Sequence, residues 1–302
     1  MIPVNDFRLY WLAAKALASG ANPYAPVAGY TVVSLLHPGE ALVPFNPPWA
    51  MPLFLPLAWL PYRVGAFLWL ALSTGLIAVS AIWLAEVYGK TKFTALVAIL
   101  VFPLILLQVM HGQIGAFLLF GLAGFLRYVE RDQILAGAFL VLLAAKPQLL
   151  FLIWPALFVC ALAGRWRPLA GFLMAVCSST GLVLVLRPGI FADYFSMLRA
   201  HHVASYDTAT LASLLAHWSG IPAMQYMLVI VGLLSLAATW NPARTWADRL
   251  PGLIMVSLAA TPYAWPADYI LLLPAFFYMA GKFRRKVSYE ELDDLIPVRE
   301  LE

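Results

Sequence analysis

The chain has 302 residues, of which 63% are hydrophobic and 11% are charged. Ordinary soluble domains are about 45–50% apolar and about 25% charged, so this composition excludes a soluble globular protein and indicates an integral membrane protein. The net charge of +4 does not indicate nucleic-acid binding, because the basic residues lie between the hydrophobic runs and not in one patch.

The first predicted element is an amphipathic helix in NDFRLYWLAAKALASG, residues 5–20. Gly20 is placed to end it, and we expect the helix to lie on the membrane surface. Asp6 stands at its start, where an acid is a favourable cap, so capping is one explanation of this residue. The apolar residues that recur at helical spacing are Phe7, Tyr10 or Trp11, Ala14 and Leu17.

The next element, PFNPPWAMPLFLPLAWLP, has Pro48, Pro52 and Pro56 at four-residue steps. Interior prolines remove backbone hydrogen bonds and break helices. We therefore expect a segment that dips into the membrane and returns, not a straight span. A second amphipathic surface helix is predicted in IFADYFSMLRAHHV, residues 190–203.

The apolar runs predict an all-α, polytopic helical bundle of about nine transmembrane helices, since one crossing needs about 20 apolar residues. An odd number of crossings places the two termini on opposite sides of the membrane. The predicted spans are residues 64–86, 93–110, 113–128, 133–146, 148–163, 168–186, 222–239, 251–262 and 266–281.

The basic residues predict the orientation. Thirteen of the 19 lysines and arginines fall on the side of the C-terminus, and connections rich in these residues face the cytoplasm. The C-terminus is therefore expected in the cytoplasm and the N-terminus outside. This orientation also places every histidine outside, namely His37, His111, His201, His202 and His217.

Three hairpins are too short for two full crossings, because only 34, 32 and 32 residues separate their cytoplasmic charges. Their turns, HGQIG, AAKPQ and TPYAWPAD, are expected below the outer surface. Irregular backbone at that depth must be buried in protein or line a water-filled cavity. We expect an outward-facing polar cavity whose wall carries His111, Gln113, Lys146 and Asp268.

Lys146 is the strongest candidate for function, because a lysine inside a long apolar run is costly. The alternative is a lysine that extends along the helix to reach water. His111 and Gln113 lie in a glycine-rich turn, where they either carry function or cap helix ends. Asp268, like Asp6, is a favourable N-cap by position alone.

Several chemistries have no motif here. The sequence has neither a GxGxxG nor a GxxxxGK[ST] segment, and His and Cys do not occur at zinc-site spacing. Cys160 and Cys177 lie in apolar segments, where thiols behave as small buried hydrophobes. Adjacent His201 and His202 point about 100° apart on a helix, so interfacial positions explain them better than a shared metal.

The order of these segments resembles glycosyltransferase family 87. The likeness rests on NDFRLYWLAAKALASGANPY, FNPPWAMPLFLPLAWLP, HGQIG, LLAAKPQLLFLIWPAL, GRWR and TPYAWPADYILLLP. It implies a GT-C type membrane enzyme that moves a sugar, mannose or similar, from a polyprenyl-phosphate carrier to a hydroxyl of a lipid or glycan acceptor.

The resemblance also implies roles for individual residues. Asp6 matches the acid of the first outer loop, the expected general base. Lys146, with His111, is expected to stabilise the leaving phosphate, while Gln113 and Tyr10 hold sugar or acceptor hydroxyls. Secondary candidates are Asp268, Tyr263 and His201. No metal or cofactor is expected, and the lipid-linked sugar acts as co-substrate.

The sequence departs from the family pattern at its start. Members normally carry a transmembrane helix before the acidic loop, whereas five residues precede Asp6, so we expect either that the true start lies upstream or that this member lacks that helix. The HGQIG turn also lacks an expected polar residue such as Asn. The predicted division is an outer-face segment 1–63, a transmembrane domain 64–281 and a cytoplasmic tail 282–302, in the plasma (inner) membrane.

Two other functions compete with sugar transfer. A transporter or flippase of an amphiphilic lipid-linked substrate would show inverted repeats and midplane polar sites, and neither is apparent. A non-catalytic scaffold of a cell-envelope complex would leave the outward His, Lys and Asp residues without a role.

Overall fold

The computed structural model describes residues 5–26, 43–101, 103–201, 210–241 and 243–280, and these ranges contain helices and connections but no strand. The all-α class predicted from the sequence is therefore confirmed for the described part of the chain. The α-helices are α1 (Asn5–Ala18), α2 (Tyr62–Val87), α3 (Lys92–Val101), α4 (Pro103–His111), α5 (Gly115–Tyr128), α6 (Gln133–Leu143), α7 (Ile153–Leu162), α8 (Arg167–Leu186), α9 (Ile190–Ala200), α10 (Leu211–Ser219), α11 (Met227–Thr239), α12 (Trp246–Ala260) and α13 (residues 273–280). Short 3₁₀ helices occupy Pro48–Leu53, Leu55–Trp59, Pro222–Tyr226 and Pro266–Leu272.

Each predicted span overlaps at least one helix, but two helices in the described ranges, α2 and α8, are by themselves long and apolar enough to cross a membrane. The pair α3 and α4 is bent by 62° and would form a third span if taken together. The others are shorter. The 14 residues of α5 rise about 21 Å, against a hydrocarbon core of about 30 Å. Several apolar helices are thus present, while the count of nine spans is not confirmed.

Glycines allow two helices, α6 and α8, to pack closely. An ideal Cβ on Gly137 of α6 would lie 1.9 Å from the carbonyl oxygen of Pro168, and one on Gly171 of α8 would lie 2.0 Å from that of Ile134. Neither distance is possible for a real side chain, so both positions require glycine. Small residues at a crossing let helix backbones approach in this way. The α6 and α8 pair is therefore fixed by contacts between backbones.

Helix α1 uses its apolar face against the protein. Phe7 is completely buried, with its ring 5.7 Å from that of Tyr62, and Tyr10 stacks on Phe54 at 4.5 Å. The indole of Trp11 donates a hydrogen bond to the Leu60 carbonyl at 3.0 Å. The predicted periodicity is confirmed, and the apolar face is buried against the protein; that the helix lies on the membrane surface stays a prediction. It packs on α2 and on the 3₁₀ helix Leu55–Trp59.

The proline-rich segment forms two consecutive 3₁₀ helices, Pro48–Leu53 and Leu55–Trp59, with prolines in the first turn of each. A proline in that turn removes no internal hydrogen bond, which explains how the segment tolerates Pro48 and Pro56. Pro52 lies inside the first of these helices. Met51 and Phe54 are completely buried. The segment is therefore not a straight helical span, as expected, while its dipping into the membrane stays a prediction.

Arg187, which follows α8, joins α9 to the turn after α1. The Arg187 guanidinium donates two hydrogen bonds to the carboxylate of Asp193 and a third, at 2.7 Å, to the carbonyl of Gly20. Helix α9 realises the amphipathic helix predicted over residues 190–203 and buries Ile190 and Met197. The predicted tail 282–302 lies outside the described residues, and the predicted domain division stays a prediction.

Candidate active site

Three turns that are distant in sequence meet at one polar cluster. The Lys146 ammonium, just after α6, donates to the Asp268 carboxylate at 2.7 Å and to Gln113 Oε1 at 3.1 Å. Gln113 Nε2 in turn donates to Asp6 Oδ2 at 2.5 Å. These bonds form one continuous chain, Asp268–Lys146–Gln113–Asp6, which we call the polar chain.

The ion pair at one end of the polar chain is buried. The side chain of Asp268 is 0% exposed and that of Lys146 is 11% exposed. The second oxygen of Asp268 accepts a hydrogen bond from the backbone N–H of Trp265 at 3.0 Å. Asp268 therefore acts as a cap and as the counter-ion of Lys146 at once. It caps from the third position of the 3₁₀ helix Pro266–Leu272, not from the N-cap position that the sequence suggested.

Gln113 connects the two ends because its amide has a donor and an acceptor. Lys146 can only donate, so it engages the carbonyl oxygen, and the NH₂ group is then directed to the carboxylate of Asp6. Gln113 is 7% exposed, so water has little access to this amide. The amide thereby relates the position of the ammonium to that of the carboxylate.

Asp6 lies in the first turn of α1 and is partly buried. Burial raises the pKa of its carboxyl above the usual value of 3.8, and the nearby charges of Lys146 and His111 and the Gln113 hydrogen bond oppose this increase. Burial disfavours the charged form of an acid, so a buried carboxylate binds a proton more strongly than an exposed one. Asp6 is therefore a stronger base than a free aspartate.

Three other predicted residues lie near Asp6. His111 ends α4 and is exposed, and its charge acts on Asp6. Tyr10 is buried, and burial followed by the charges of Asp6 and Asp268 raises its pKa well above 10.0. Its phenol thus stays protonated at neutral pH. Tyr263 is half-buried and acts electrostatically on Tyr10.

The histidines further along the chain are not part of the polar chain. His201 follows the last residue of α9 and is half-buried, outside the four hydrogen-bonded residues. His37 and His202 lie outside the described residues. His217 is in the last turn of α10, where it lines a separate cavity.

Asn46 and Trp49 hold the turn that carries Lys146. The Asn46 amide donates to the Ala145 carbonyl at 3.1 Å, and the Trp49 indole donates to the Ala144 carbonyl at 2.9 Å. These carbonyls follow the end of α6, where backbone oxygens have no partner within the helix. Sequence reasoning missed both residues. The signal was available, because an asparagine in an apolar, proline-rich segment calls for a hydrogen-bond partner.

Gln108 and Trp69 hold the turn that carries Gln113. The Gln108 side chain is completely buried and donates to the Gln113 carbonyl, and the Trp69 indole donates to the Gly112 carbonyl at 2.9 Å. Gly112 has φ of 62°, a left-handed conformation that favours glycine. Gly115 is needed for space, because an ideal Cβ there would lie 2.4 Å from Gln108 Oε1. Gln108, a polar residue inside an apolar helix, was also missed.

The side chains of the polar chain bond to one another and do not line the cavity between α10, α12 and the 3₁₀ helix Pro266–Leu272. That cavity, of about 740 Å³, is bounded by α10, α12 and the 3₁₀ helix Pro266–Leu272, and neither Gln113, Lys146, Asp268 nor His111 lines it. The structure thus shows these groups bonded to one another, while the expected outward-facing polar cavity stays a prediction.

Within the ranges that the structure describes, no three His, Cys, Asp or Glu side chains lie close enough to hold a metal ion. The expectation of a metal-independent reaction stays a prediction.

Comparison with known families decides the class of protein. The profile of glycosyltransferase family 87 matches residues 45–268, about three quarters of the 302 residues. The chain belongs to glycosyltransferase family 87. No curated protein and no solved structure matches it.

Membership in family 87 makes the protein a membrane glycosyltransferase, with a sugar donor and an acceptor. It decides against the transporter and scaffold alternatives as the primary activity. The matched region contains Gln113 and Lys146 and ends at Asp268, whereas Asp6 precedes it. Asp6 contacts the matched region through its hydrogen bond from Gln113.

Proposed function

We propose that this family 87 protein transfers a sugar, mannose or a similar hexose, from a polyprenyl-phosphate carrier to a hydroxyl group of a lipid or glycan on the outer face of the plasma membrane. The polar chain carries the proposal, because it holds a carboxylate and an ammonium on opposite sides of one amide. A transferase of this kind needs a base for the acceptor and a cation for the leaving group.

Asp6 is the proposed general base. The acceptor oxygen attacks the anomeric carbon of the sugar while its proton passes to the Asp6 carboxylate. The bond between the anomeric carbon and the phosphate oxygen breaks, and its electron pair leaves with the polyprenyl phosphate. Asp6 Oδ2 is held by Gln113, so we assign the proton to Oδ1. The raised pKa of Asp6 supports this role.

Lys146 is the proposed phosphate ligand. Two hydrogens of its ammonium are directed to Asp268 and Gln113, and a lysine has a third. A donor placed where negative charge grows on the leaving phosphate stabilises the transition state. Because a phosphate leaves without protonation, this step needs no general acid.

His111, Gln113 and Tyr10 complete the proposed site. The exposed imidazole of His111 is available to the donor phosphate, and we assign the buried, protonated phenol of Tyr10 to a sugar or acceptor oxygen. Gln113 fixes the position of the Asp6 carboxylate relative to the Lys146 ammonium. Tyr263 and His201 remain secondary candidates, and an outward site with a cytoplasmic C-terminus is part of the same proposal.

The test replaces Asp6 by Asn, which caps helices as well as Asp does. Purified protein is incubated with polyprenyl-phosphate mannose and membrane lipid extract, and labelled sugar is followed into lipid. We expect Asp6→Asn to lose about 100- to 10,000-fold in kcat, the usual contribution of a general base. The matched control is Asp193→Asn in α9, which we expect to keep activity within a few fold. Wild-type activity of Asp6→Asn would remove the general-base assignment.

A further inference from the structure

Arg249, near the start of α12, is a buried cation without a carboxylate partner among the residues that the structure describes. It is 8% exposed, and the ion pairs of the described ranges join other residues. Arginine stays protonated in proteins, so loss of a proton cannot remove this charge. Burying a charge is costly unless an opposite charge or hydrogen bonds compensate it. The surroundings of Arg249 must therefore compensate a full positive charge.

The protein surrounds this guanidinium with dipoles and ring faces. Nη2 donates to the carbonyls of Asn241 and Arg244 at 2.8 and 3.0 Å, and Nη1 donates to the Cys160 sulfur at 3.3 Å. The central carbon of the guanidinium lies 4.0 Å from the ring centroid of Trp240 and 5.4 Å from that of Trp246. Cation–π contacts and carbonyls hold the group in one position. None of these partners carries a negative charge.

A cavity of about 160 Å³, which we call the arginine cavity, lies between the C-terminal part of α11 and α12. Its charged wall residues are Arg244, Arg249 and Asp248. The Asp248 carboxylate accepts a hydrogen bond from the Thr245 hydroxyl at 2.8 Å, so part of its capacity is used within the cap of α12. The wall thus has an excess of positive charge. Neutral side chains that can bind an anion through hydrogen bonds also line it, namely Ser235, Thr239 and Asn241.

The rest of the wall is apolar. Leu236, Leu253 and Val256 line it, and Val256 is 38% exposed, so the cavity reaches the outer surface of the helices. Sites for whole small-molecule ligands have about 300–1,000 Å³. This smaller cavity has room for a compact anion whose hydrocarbon part continues over the apolar wall. A phospholipid combines these two parts.

The position of the arginine cavity fits such a ligand. Arg244 and Arg249 belong to a connection that is predicted to face the cytoplasm, and basic pockets between helices on that side are suited to anionic lipid headgroups. The planar fork of arginine matches the oxygens of a phosphate. No residue of the polar chain lines the cavity, so it is separate from the proposed catalytic site.

We propose that the arginine cavity binds the phosphate of an anionic phospholipid from the surrounding bilayer. The guanidinium groups of Arg244 and Arg249 bind the phosphate oxygens, and the acyl chains lie along Leu253 and Val256. The lipid supplies the negative charge that the partners of Arg249 lack. This binding does not depend on sugar transfer, so it can be tested whether or not the proposed function holds.

The test measures ligand binding to the purified, delipidated full chain in detergent. The ligands are short-chain phosphatidylglycerol, short-chain phosphatidylcholine and inorganic phosphate, and Kd is taken from the rise of Tm with ligand concentration. A ligand that binds the folded state raises stability once its concentration exceeds Kd. We expect the wild type to bind phosphatidylglycerol about tenfold more tightly than phosphatidylcholine, with no rise in Tm from inorganic phosphate at the same concentrations.

Two variants change the arginine cavity, and each has a matched control. Arg244→Gln removes an exposed charge but keeps the backbone carbonyl that Arg249 uses, and Arg131→Gln removes an exposed arginine between α5 and α6. An ideal Cβ on Gly252 or Gly181 meets nothing within 4 Å. Gly252→Leu therefore extends into the cavity, while Gly181→Leu adds the same side chain on α8. We expect each cavity variant to weaken phosphatidylglycerol binding about tenfold, and each control to stay within about twofold of wild type.

Other results would overturn this assignment. Equal affinity for the two lipids, or cavity variants that bind like the wild type, would mean that lipid covers the helices without a defined site. A rise in Tm with inorganic phosphate that Arg244→Gln abolishes would assign the cavity to free phosphate. Lipid binding that requires replacement of the acids at positions 290, 291, 293 and 294 by amides would show that carboxylates of the chain itself compensate Arg249.

Native mass spectrometry gives a readout that is independent of thermal unfolding. We expect the wild type to retain phosphatidylglycerol through purification and Gly252→Leu to lose it, while Gly181→Leu retains it. Retention by both glycine variants would contradict the proposal. Should Gly252→Leu be unstable without lipid, Arg244→Gln decides, because its substitution lies at an exposed position.

Discussion

The ion pair between Lys146 and Asp268 gives the sharpest prediction about stability and function together. In Asp268→Asn the amide oxygen still accepts from the Trp265 N–H, so the cap is kept while the negative charge is removed. Lys146, 11% exposed, is then left without its counter-ion. A buried charge pair that loses one partner destabilises a protein by about 3–5 kcal/mol. We expect about 3 kcal/mol, the lower end, because the Gln113 hydrogen bond remains.

The second perturbation removes the stranded charge. In the double variant Lys146→Met with Asp268→Asn no ion is buried, so most of the loss should be recovered. The coupling free energy between the two positions is expected to be about 2–3 kcal/mol. Activity should not recover with stability, because the proposed phosphate ligand is gone. Sugar transfer by the double variant is expected to be at least 100-fold below wild type.

The assay is equilibrium unfolding of the four proteins in detergent micelles, followed by tryptophan fluorescence, beside sugar transfer at saturating donor. The control cycle uses Glu86 and Arg127, an ion pair whose side chains are 44% and 24% exposed. That pair should couple by less than about 1 kcal/mol. If the two single substitutions at Lys146 and Asp268 change the free energy of unfolding additively, within about 0.5 kcal/mol, the argument that burial makes this pair strong is refuted.

Three further predictions follow from single contacts. Gln113→Leu removes a hydrogen bond that lowers the pKa of Asp6. Since the base acts in its deprotonated form, the acid limb of the pH profile of kcat/KM should move to higher pH. An acid limb that stays in place or moves to lower pH would contradict this. Asn46→Ala frees the turn before Lys146 and should reduce kcat at least tenfold while stability falls by only about 1 kcal/mol, whereas equal kcat would remove the positioning role. Gly171→Ala should destabilise the protein by about 1–3 kcal/mol through overpacking, measured by thermal unfolding. Gly181 lies on the same helix, and a Cβ there would meet nothing within 4 Å. Gly181→Ala should therefore be neutral or stabilising.

Sequence patterns predicted elements where a local rule decided the outcome. The spacing of Phe7, Ala14 and Leu17 gave the face of α1 that is buried, because helical periodicity is a short-range property. Pro52 and Pro56 excluded one continuous α-helix from Pro48 onward, because each would lie in its interior without an N–H group. The pattern could not say whether the α1 face met lipid or protein, since both are apolar partners.

The candidate site was predicted in its members but not in its connections. Lys146 and Gln113 were selected because polar groups are costly in apolar segments, and that argument applied equally to Gln108 and Asn46, which were overlooked. Which donor meets which acceptor depends on how the turns approach in space. No spacing within the sequence encodes the bond from Gln113 to Asp6.

The sequence by itself determined that this is a helical membrane protein with polar turns between short apolar runs, and the order of those turns indicated its family. Only the tertiary structure decided that Asp268, Lys146, Gln113 and Asp6 form one hydrogen-bonded chain. The physical reason is the distance along the chain over which each effect acts. Hydrophobicity, periodicity and proline act over a few residues, whereas a buried ion finds its partner only after distant turns pack together.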